Sequence, residues 1–194
     1  MTEYGVLALQ GDWAAHCAIL RDLGASTRPV RTADDLAQVD ALVIPGGESS
    51  AMLRLMAPEN LAHRIRGRIT TGMAILATCA GVILLAEHIQ PPQESLSVLG
   101  VDVHRNAYGR QPHSTVAEIE LTQDFGEPFR MEGVFIRAPR ITSVSPAVTV
   151  LGRWCDDPVL VRQERILGAT FHPELTADRR IHKMFIETGE VGHG

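Results

Sequence analysis

Short apolar runs alternate with helix-period stretches through the first half of the chain. Tyr4-Gly-Val-Leu-Ala-Leu9 is apolar at nearly every position and stops at Gln10-Gly11, the pattern of a strand buried on both faces. Asp12 stands where an N-cap belongs. Trp13, His16, Cys17, Leu20 and Leu23 follow at helical spacing, and Gly24 is placed to end that helix. Residues 27–30 predict a second strand. Ala41-Leu-Val-Ile44 predicts a third, cut off by Pro45-Gly46-Gly47. Helical patterns fill Ser49–Met56 and Leu61–Thr70, residues 73–77 read as a fourth strand, and residues 81–88 as a helix after it. Alternation of this kind predicts a parallel sheet covered on both faces.

The pattern changes after Pro91-Pro92. Residues 96–105, 115–121, 134–136, 141–144 and Thr149–Trp154 are short and strand-like. Residues 158–163 and 166–171 predict a hairpin around Glu164-Arg165, and a last helix covers about residues 178–187. The expected architecture is a three-layer α/β unit over residues 1–188 with extra strands from its second half. Residues 189–194 form a frayed, Gly-rich tail.

Composition narrows the function classes. The 194 residues suit one domain, and 45% hydrophobic with 21% charged residues is a globular balance. Acids outnumber bases, 23 against 18, for a net charge of −5, so the basic stripe of a nucleic-acid binder is not expected. No stretch reaches the roughly 20 apolar residues of a membrane span, and the start lacks a signal-peptide pattern. Three widely spaced cysteines, Cys17, Cys79 and Cys155, make no disulfide framework and no zinc knuckle. A soluble, reduced, cytoplasmic protein is the expectation.

Three segments carry chemistry. Ala77-Thr78-Cys79-Ala80-Gly81 joins a strand to a helix, with small residues on both sides of the cysteine, as a sharp turn requires. Such a turn lifts the thiol clear of the sheet at a helix N-terminus, where the thiolate is favoured, and aims the Ala80 N–H at an oxyanion. A lone cysteine is more often a buried structural residue; the setting shifts the balance toward a nucleophile. His172-Pro173-Glu174 follows an apolar strand, and residues two apart in an extended stretch point the same way, so Glu174 can orient the His172 ring. The other reading of this pair is a capping histidine with a solvated glutamate. Pro45-Gly-Gly-Glu-Ser-Ser50 either turns N–H groups into a pocket, as half of an oxyanion hole, or is a plain turn with Ser49 as N-cap. The remaining histidines, His16 and His182 among them, show no ligand spacing, and metal binding is not expected.

Together, the cysteine turn, the Gly-Gly turn and the late His-Pro-Glu resemble the class I, triad-type glutamine amidotransferases. Leu7-Ala-Leu-Gln-Gly11, Pro45-Gly-Gly-Glu-Ser49, Thr78-Cys-Ala-Gly81, Arg105-Asn-Ala-Tyr-Gly-Arg-Gln111, Phe135-Ile-Arg-Ala-Pro139 and Phe171-His-Pro-Glu-Leu-Thr176 occur in order. Over residues 4–186 they resemble the glutaminase subunits of pyridoxal 5′-phosphate synthase. Ala77 stands where that family usually has glycine, and Pro112-His-Ser-Thr115 departs from its pattern.

The resemblance implies a flavodoxin-like, three-layer fold with a mostly parallel central sheet. It implies hydrolysis of L-glutamine to L-glutamate and ammonia, with Cys79 as nucleophile, His172 as acid–base and Glu174 as its orienter. Gly47, Glu48, Ser49, Arg105, Ile136 and Arg137 would line the glutamine site, with Gly47 and Ala80 as oxyanion donors. Either Arg105 or Arg137 suits the substrate carboxylate. No cofactor is implied. The ammonia would pass to a β/α-barrel synthase subunit, in a hetero-oligomer, that makes pyridoxal 5′-phosphate from ribose 5-phosphate and glyceraldehyde 3-phosphate. In that family the glutaminase is weak until its partner docks. Three other readings stay open: a class I glutaminase feeding another acceptor, a cysteine hydrolase or redox protein of the same architecture, and a partner-binding module without activity.

Overall fold

A computed structural model describes residues 2–105, 114–125, 127 and 129–191. The first half runs β1 (Glu3–Leu7), α1 (Trp13–Asp22), β2 (Ser26–Val30), α2 (Ala33–Ala37), β3 (Ala41–Ile44), α3 (Ser49–Met56), α4 (Leu61–Thr70), β4 (Ala74–Thr78) and α5 (Ala80–Leu85). Then come β5 (Ala86–Gln90), β6 (Leu99–His104), β7 (Ser114–Leu121), β8 (Arg130–Ile136), β9 (Arg140–Val144), β10 (Thr149–Trp154), β11 (Asp157–Gln163), β12 (Ile166–Ala169) and α6 (Arg180–Glu190). Short 3₁₀ turns lie at Gln123–Phe125 and Pro173–Leu175.

The main sheet has nine strands in the order β2-β1-β3-β4-β12-β11-β10-β7-β8. From β2 to β12 the pairing is parallel, and from β12 outward it is antiparallel. β12 is the joint: it pairs parallel with β4 on one side and antiparallel with β11 on the other, through the hairpin expected at Glu164-Arg165. The strand alternation divides the core into two layers. On β3, Leu42 and Ile44 face one core while Ala41 and Val43 face the other; on β4, Ile75 and Ala77 part in the same way from Ala74 and Leu76. One core takes Met52 and Met56 of α3, Leu61 and Ile65 of α4 and the apolar side of α5. The opposite core takes Cys17 and Leu20 of α1 with Ile181 and Phe185 of α6. Tyr4 ties β1 to α6: its ring meets Phe185 edge-on at 5.5 Å, and its hydroxyl donates to the Ile186 carbonyl at 2.9 Å. Three layers with a parallel block and antiparallel outer strands are the expected architecture.

Several boundaries differ from the sequence pattern, each for a physical reason. The helix after Cys79 ends at Leu85 rather than 88, because Ala86–Gln90 pairs in parallel with β6 in a small sheet ordered β5-β6-β9. Helix propensity is a weak preference that a partner strand overrides. The short α2 lies where no helix was expected, although its capping box was present in the sequence. The Thr32 Oγ1 accepts the Asp35 N–H at 3.1 Å, and Asp35 Oδ2 accepts the Thr32 N–H at 3.0 Å. Asp12 caps α1 as expected, accepting the Ala15 N–H at 3.2 Å. The cap of α3 is Glu48, not Ser49: its carboxylate accepts the N–H groups of Ser50 and Ala51 at 3.2 and 2.8 Å. The last helix runs through Glu190, into the segment expected to fray. Residues 106–113, most of the Arg105–Gln111 motif and the Pro112–His113 departure, lie outside the described residues, as do residues 192–194. Among the described residues, no helix is long and apolar enough to cross a membrane.

Candidate active site

Four neighbouring parallel strands, β1, β3, β4 and β12, deliver their carboxyl ends to one place, where open α/β sheets form their ligand crevices. Gly11 follows β1, Gly46 and Gly47 follow β3, Cys79 follows β4, and His172 lies three residues beyond β12. These residues line a cleft of about 430 Å³ together with Glu48, Ser49, Ala80, Ile83, Arg105, Ile136, Arg137 and Glu174. That size suits a small-molecule site. All the residues expected from the sequence to bind or act are on its wall.

Cys79 sits at the N-cap of α5 with φ 47° and ψ −106°, a strained backbone for a residue other than glycine. Its N–H is held by the Ala169 carbonyl at 2.8 Å, so β12 fixes the turn. Two glycines allow the close packing. A Cβ on Gly81 would lie 2.2 Å from the Ile44 carbonyl oxygen, so only glycine lets α5 start against the end of β3. A Cβ on Gly46 would lie 2.5 Å from His172 Cε1 and 3.3 Å from Cys79 Cβ, so the Gly-Gly turn makes room for both side chains. Ala77, in place of the family's usual glycine, is fully buried in the core.

The ring of His172 stands between Cys79 and Glu174. His172 Nδ1 is 2.7 Å from Glu174 Oε1, and Cys79 lines the same cleft beside the ring. The Cys79 thiol also lies 3.8 Å from the Ile136 carbonyl. Burial disfavours a charged His172, but the hydrogen bonds to Cys79 and Glu174, and the charges of both, outweigh it. The imidazolium persists far above the usual histidine range, to about pH 10. Glu174 is almost fully buried. Burial pushes its carboxyl up, but the neighbouring His16 and His172 pull it well below the usual carboxylate range. His172 is thus a stabilising ion-pair member whose folded-state pKa is raised. The stability it contributes is whole below pH 6.5 and is lost as pH rises toward 10. The difference in unfolding free energy between the parent and His172→Asn should therefore shrink across that window in denaturant titrations.

The opposite rim carries charge. Arg105 Nη2 lies 3.4 Å from Glu48 Oε1, and its Nη1 donates to Gln93 Oε1. Ser49 Oγ donates to the same Gln93 oxygen at 2.9 Å. Gln93, just after Pro91-Pro92, was not singled out in the sequence, yet it ties the Gly-Gly-Glu-Ser turn to Arg105. Gln10 was also missed. Its Oε1 accepts the Glu48 N–H at 2.6 Å and so locks the same turn to the end of β1. Its place next to Gly11 in Leu7-Ala-Leu-Gln-Gly11 was the available signal. Glu48 is held below the usual carboxylate range, first by the Ser50 hydroxyl. Among the described residues, no cluster of His, Cys, Asp and Glu is arranged to hold a metal ion.

On this three-layer α/β fold, a cysteine on a strained strand-to-helix turn shares its cleft with a histidine paired to a buried carboxylate. The chain belongs to the SNO glutamine amidotransferase family, whose model matches residues 6–191. It is 50% identical over 190 residues to pyridoxal 5′-phosphate synthase subunit PdxT of Acidothermus cellulolyticus, covering 94% of this chain and 91% of that one. It is 45% identical over 185 residues to the PdxT subunit of Thermosipho africanus, covering 95% and 97%. The crystal structure of a glutamine amidotransferase, 42% identical in sequence, superposes with a TM-score of 0.88 over 96% of this chain and 98% of that one.

Proposed function

We propose that the chain is the glutaminase subunit of a pyridoxal 5′-phosphate synthase. In this reading it hydrolyses L-glutamine to L-glutamate and ammonia and hands the ammonia to a barrel-type synthase subunit. The observation that carries the chemistry is the line Cys79–His172–Glu174 in a cleft that ends four parallel strands. The PdxT relatives support the pathway.

In the proposed mechanism the Cys79 sulfur attacks the side-chain amide carbon of glutamine. The N–H groups of Gly47 and Ala80 face the oxyanion. The thiol proton that Cys79 gives up to His172 passes from the His172 imidazolium to the departing ammonia. His172 then takes a proton from water, which hydrolyses the thioester and frees glutamate. Glu174 holds the ring so that its other nitrogen faces the sulfur. Arg105 or Arg137 takes the substrate carboxylate, with Glu48, Ser49 and Ile136 shaping the pocket. The Gly46-Gly47 peptide presents its N–H to the oxyanion when the partner holds it. The whole of residues 1–188 acts as one unit in the cytoplasm.

The decisive experiment measures glutamate formed from glutamine by the chain alone and with a barrel subunit. Strong stimulation by the partner is expected. Equal activity without it would keep the glutaminase chemistry but remove the partner-dependent oxyanion site. No activity in either case would overturn the reading.

A further inference from the structure

Behind Glu174 lies a group of buried polar side chains that the proposed mechanism does not use. His16 of α1 and His182 of α6 are both fully buried. They are 166 positions apart in sequence, yet His16 Nδ1 and His182 Nε2 are 3.0 Å apart. The other nitrogen of His16, Nε2, faces Glu174 Oε2 at 3.3 Å and Thr78 Oγ1 at 3.5 Å. The Glu174 contact is short enough for an ion pair but lacks the alignment of a good hydrogen bond, and Oε2 has no better donor among the described residues. The outer nitrogen of His182, Nδ1, is buried with no hydrogen-bond partner among them.

With both rings neutral, these contacts leave one sensible placement of the protons. If the His16 proton sat on Nδ1, a bare Nε2 lone pair would face the Glu174 carboxylate. His182 would then have to carry its proton on Nδ1, as a buried N–H donor with no acceptor. Both arrangements are costly in a water-free interior. If instead His182 carries its proton on Nε2, it donates to His16 Nδ1. The His16 proton then lies on Nε2, facing the carboxylate, and the unpartnered His182 nitrogen is only a lone pair.

We infer that His16 and His182 form a buried positioning relay, in which His182 sets the His16 tautomer and His16 Nε2–H anchors the second oxygen of Glu174. The inference rests on the reading of Glu174 as the orienter of His172. With Oε1 taken by His172 and Oε2 by His16, the carboxylate is held at both ends and cannot rotate away from the ring that serves Cys79. The relay also joins α1 and α6, the two helices on one face of the sheet, directly beneath the site. Neutrality of His182 fits this role: burial, the largest cause, depresses its pKa to about 3. The charged or titratable groups around the relay are therefore Glu174, His172 and Arg179.

The test is a double-mutant cycle on the full chain with a barrel synthase subunit present, read as kcat and KM for glutamine. His16→Leu should lower kcat about 10–100-fold with KM changed less than about two-fold, the size of effect seen when an outer-shell partner is removed. Its acid limb of kcat/KM against pH should move upward, because Glu174 loses a group that keeps it ionised. In a Glu174→Gln background the same replacement should cost less than about three-fold, since the relay then has no carboxylate to hold. His182→Leu should act in the same direction but more weakly. His16→Gln, which keeps a donor near Nε2, should recover most of the loss. Equal losses in both backgrounds, or a folded His16→Leu chain with unchanged kcat and pH profile, would overturn the relay. Should His16→Leu not fold, the His182→Leu and His182→Gln pair decides the same question. If Glu174→Gln alone kept full activity, the orienter reading would fail instead, and the two failures are distinct.

Discussion

Replacing Cys79 with alanine should lower glutamate production by at least about 10⁴-fold, because the covalent route is lost while binding remains. The side chain shrinks by one sulfur at the wall of the cleft, so the fold should be kept. Synthesis of pyridoxal 5′-phosphate by the complex should fail with glutamine and return with ammonium salts, since only the ammonia source is missing. Persistent glutaminase activity in Cys79→Ala would refute the nucleophile assignment. Failure of ammonium to rescue would mean that the chain does more than deliver ammonia.

The second large effect is structural. Gly81→Ala should destabilise the chain by about 2–4 kcal/mol, at and just beyond the usual range for overpacking. The added Cβ would sit 2.2 Å from the Ile44 carbonyl oxygen, a backbone atom that no side-chain rotation can move. Either the start of α5 or the end of β3 must shift, and those segments carry Cys79 and Gly46. Thermal unfolding should fall by about 5–15 °C for a chain of this length, and activity should fall further than stability alone predicts. An unchanged midpoint would show that the α5–β3 contact has slack.

The gathering of Cys79, His172 and Glu174 in one cleft was legible in the sequence because each sits in a short segment whose local chemistry is self-contained. Cys79 lies among small residues that a sharp turn requires, and His172 and Glu174 are two apart after an apolar strand. The support around them was not visible. Gln93 holds Arg105 and Ser49 from the segment just after Pro91-Pro92, which carries no motif. Gln10 locks the Gly-Gly turn across strands. His16 has no ligand spacing in the sequence, and its partner on α6 is brought to it only by the fold.

The same division runs through the fold. Local periodicity and turn residues determined the boundaries of β3, α3, α4 and β10 and the hairpin between β11 and β12, since these elements satisfy their apolar pattern within a few residues. Tertiary structure decided what depends on distant partners. Helix α5 stops at Leu85 because β6 offers a parallel edge to the residues that follow. The sheet changes from parallel to antiparallel at β12 because that strand is paired on both sides by segments from opposite halves of the chain. The second oxygen of Glu174 meets His16 only once α1 and α6 pack on the same face. Hydrophobic spacing is a property of neighbours in sequence. Strand order, hydrogen-bond partners and buried polar contacts are properties of neighbours in space, and they arise only when the whole core has formed.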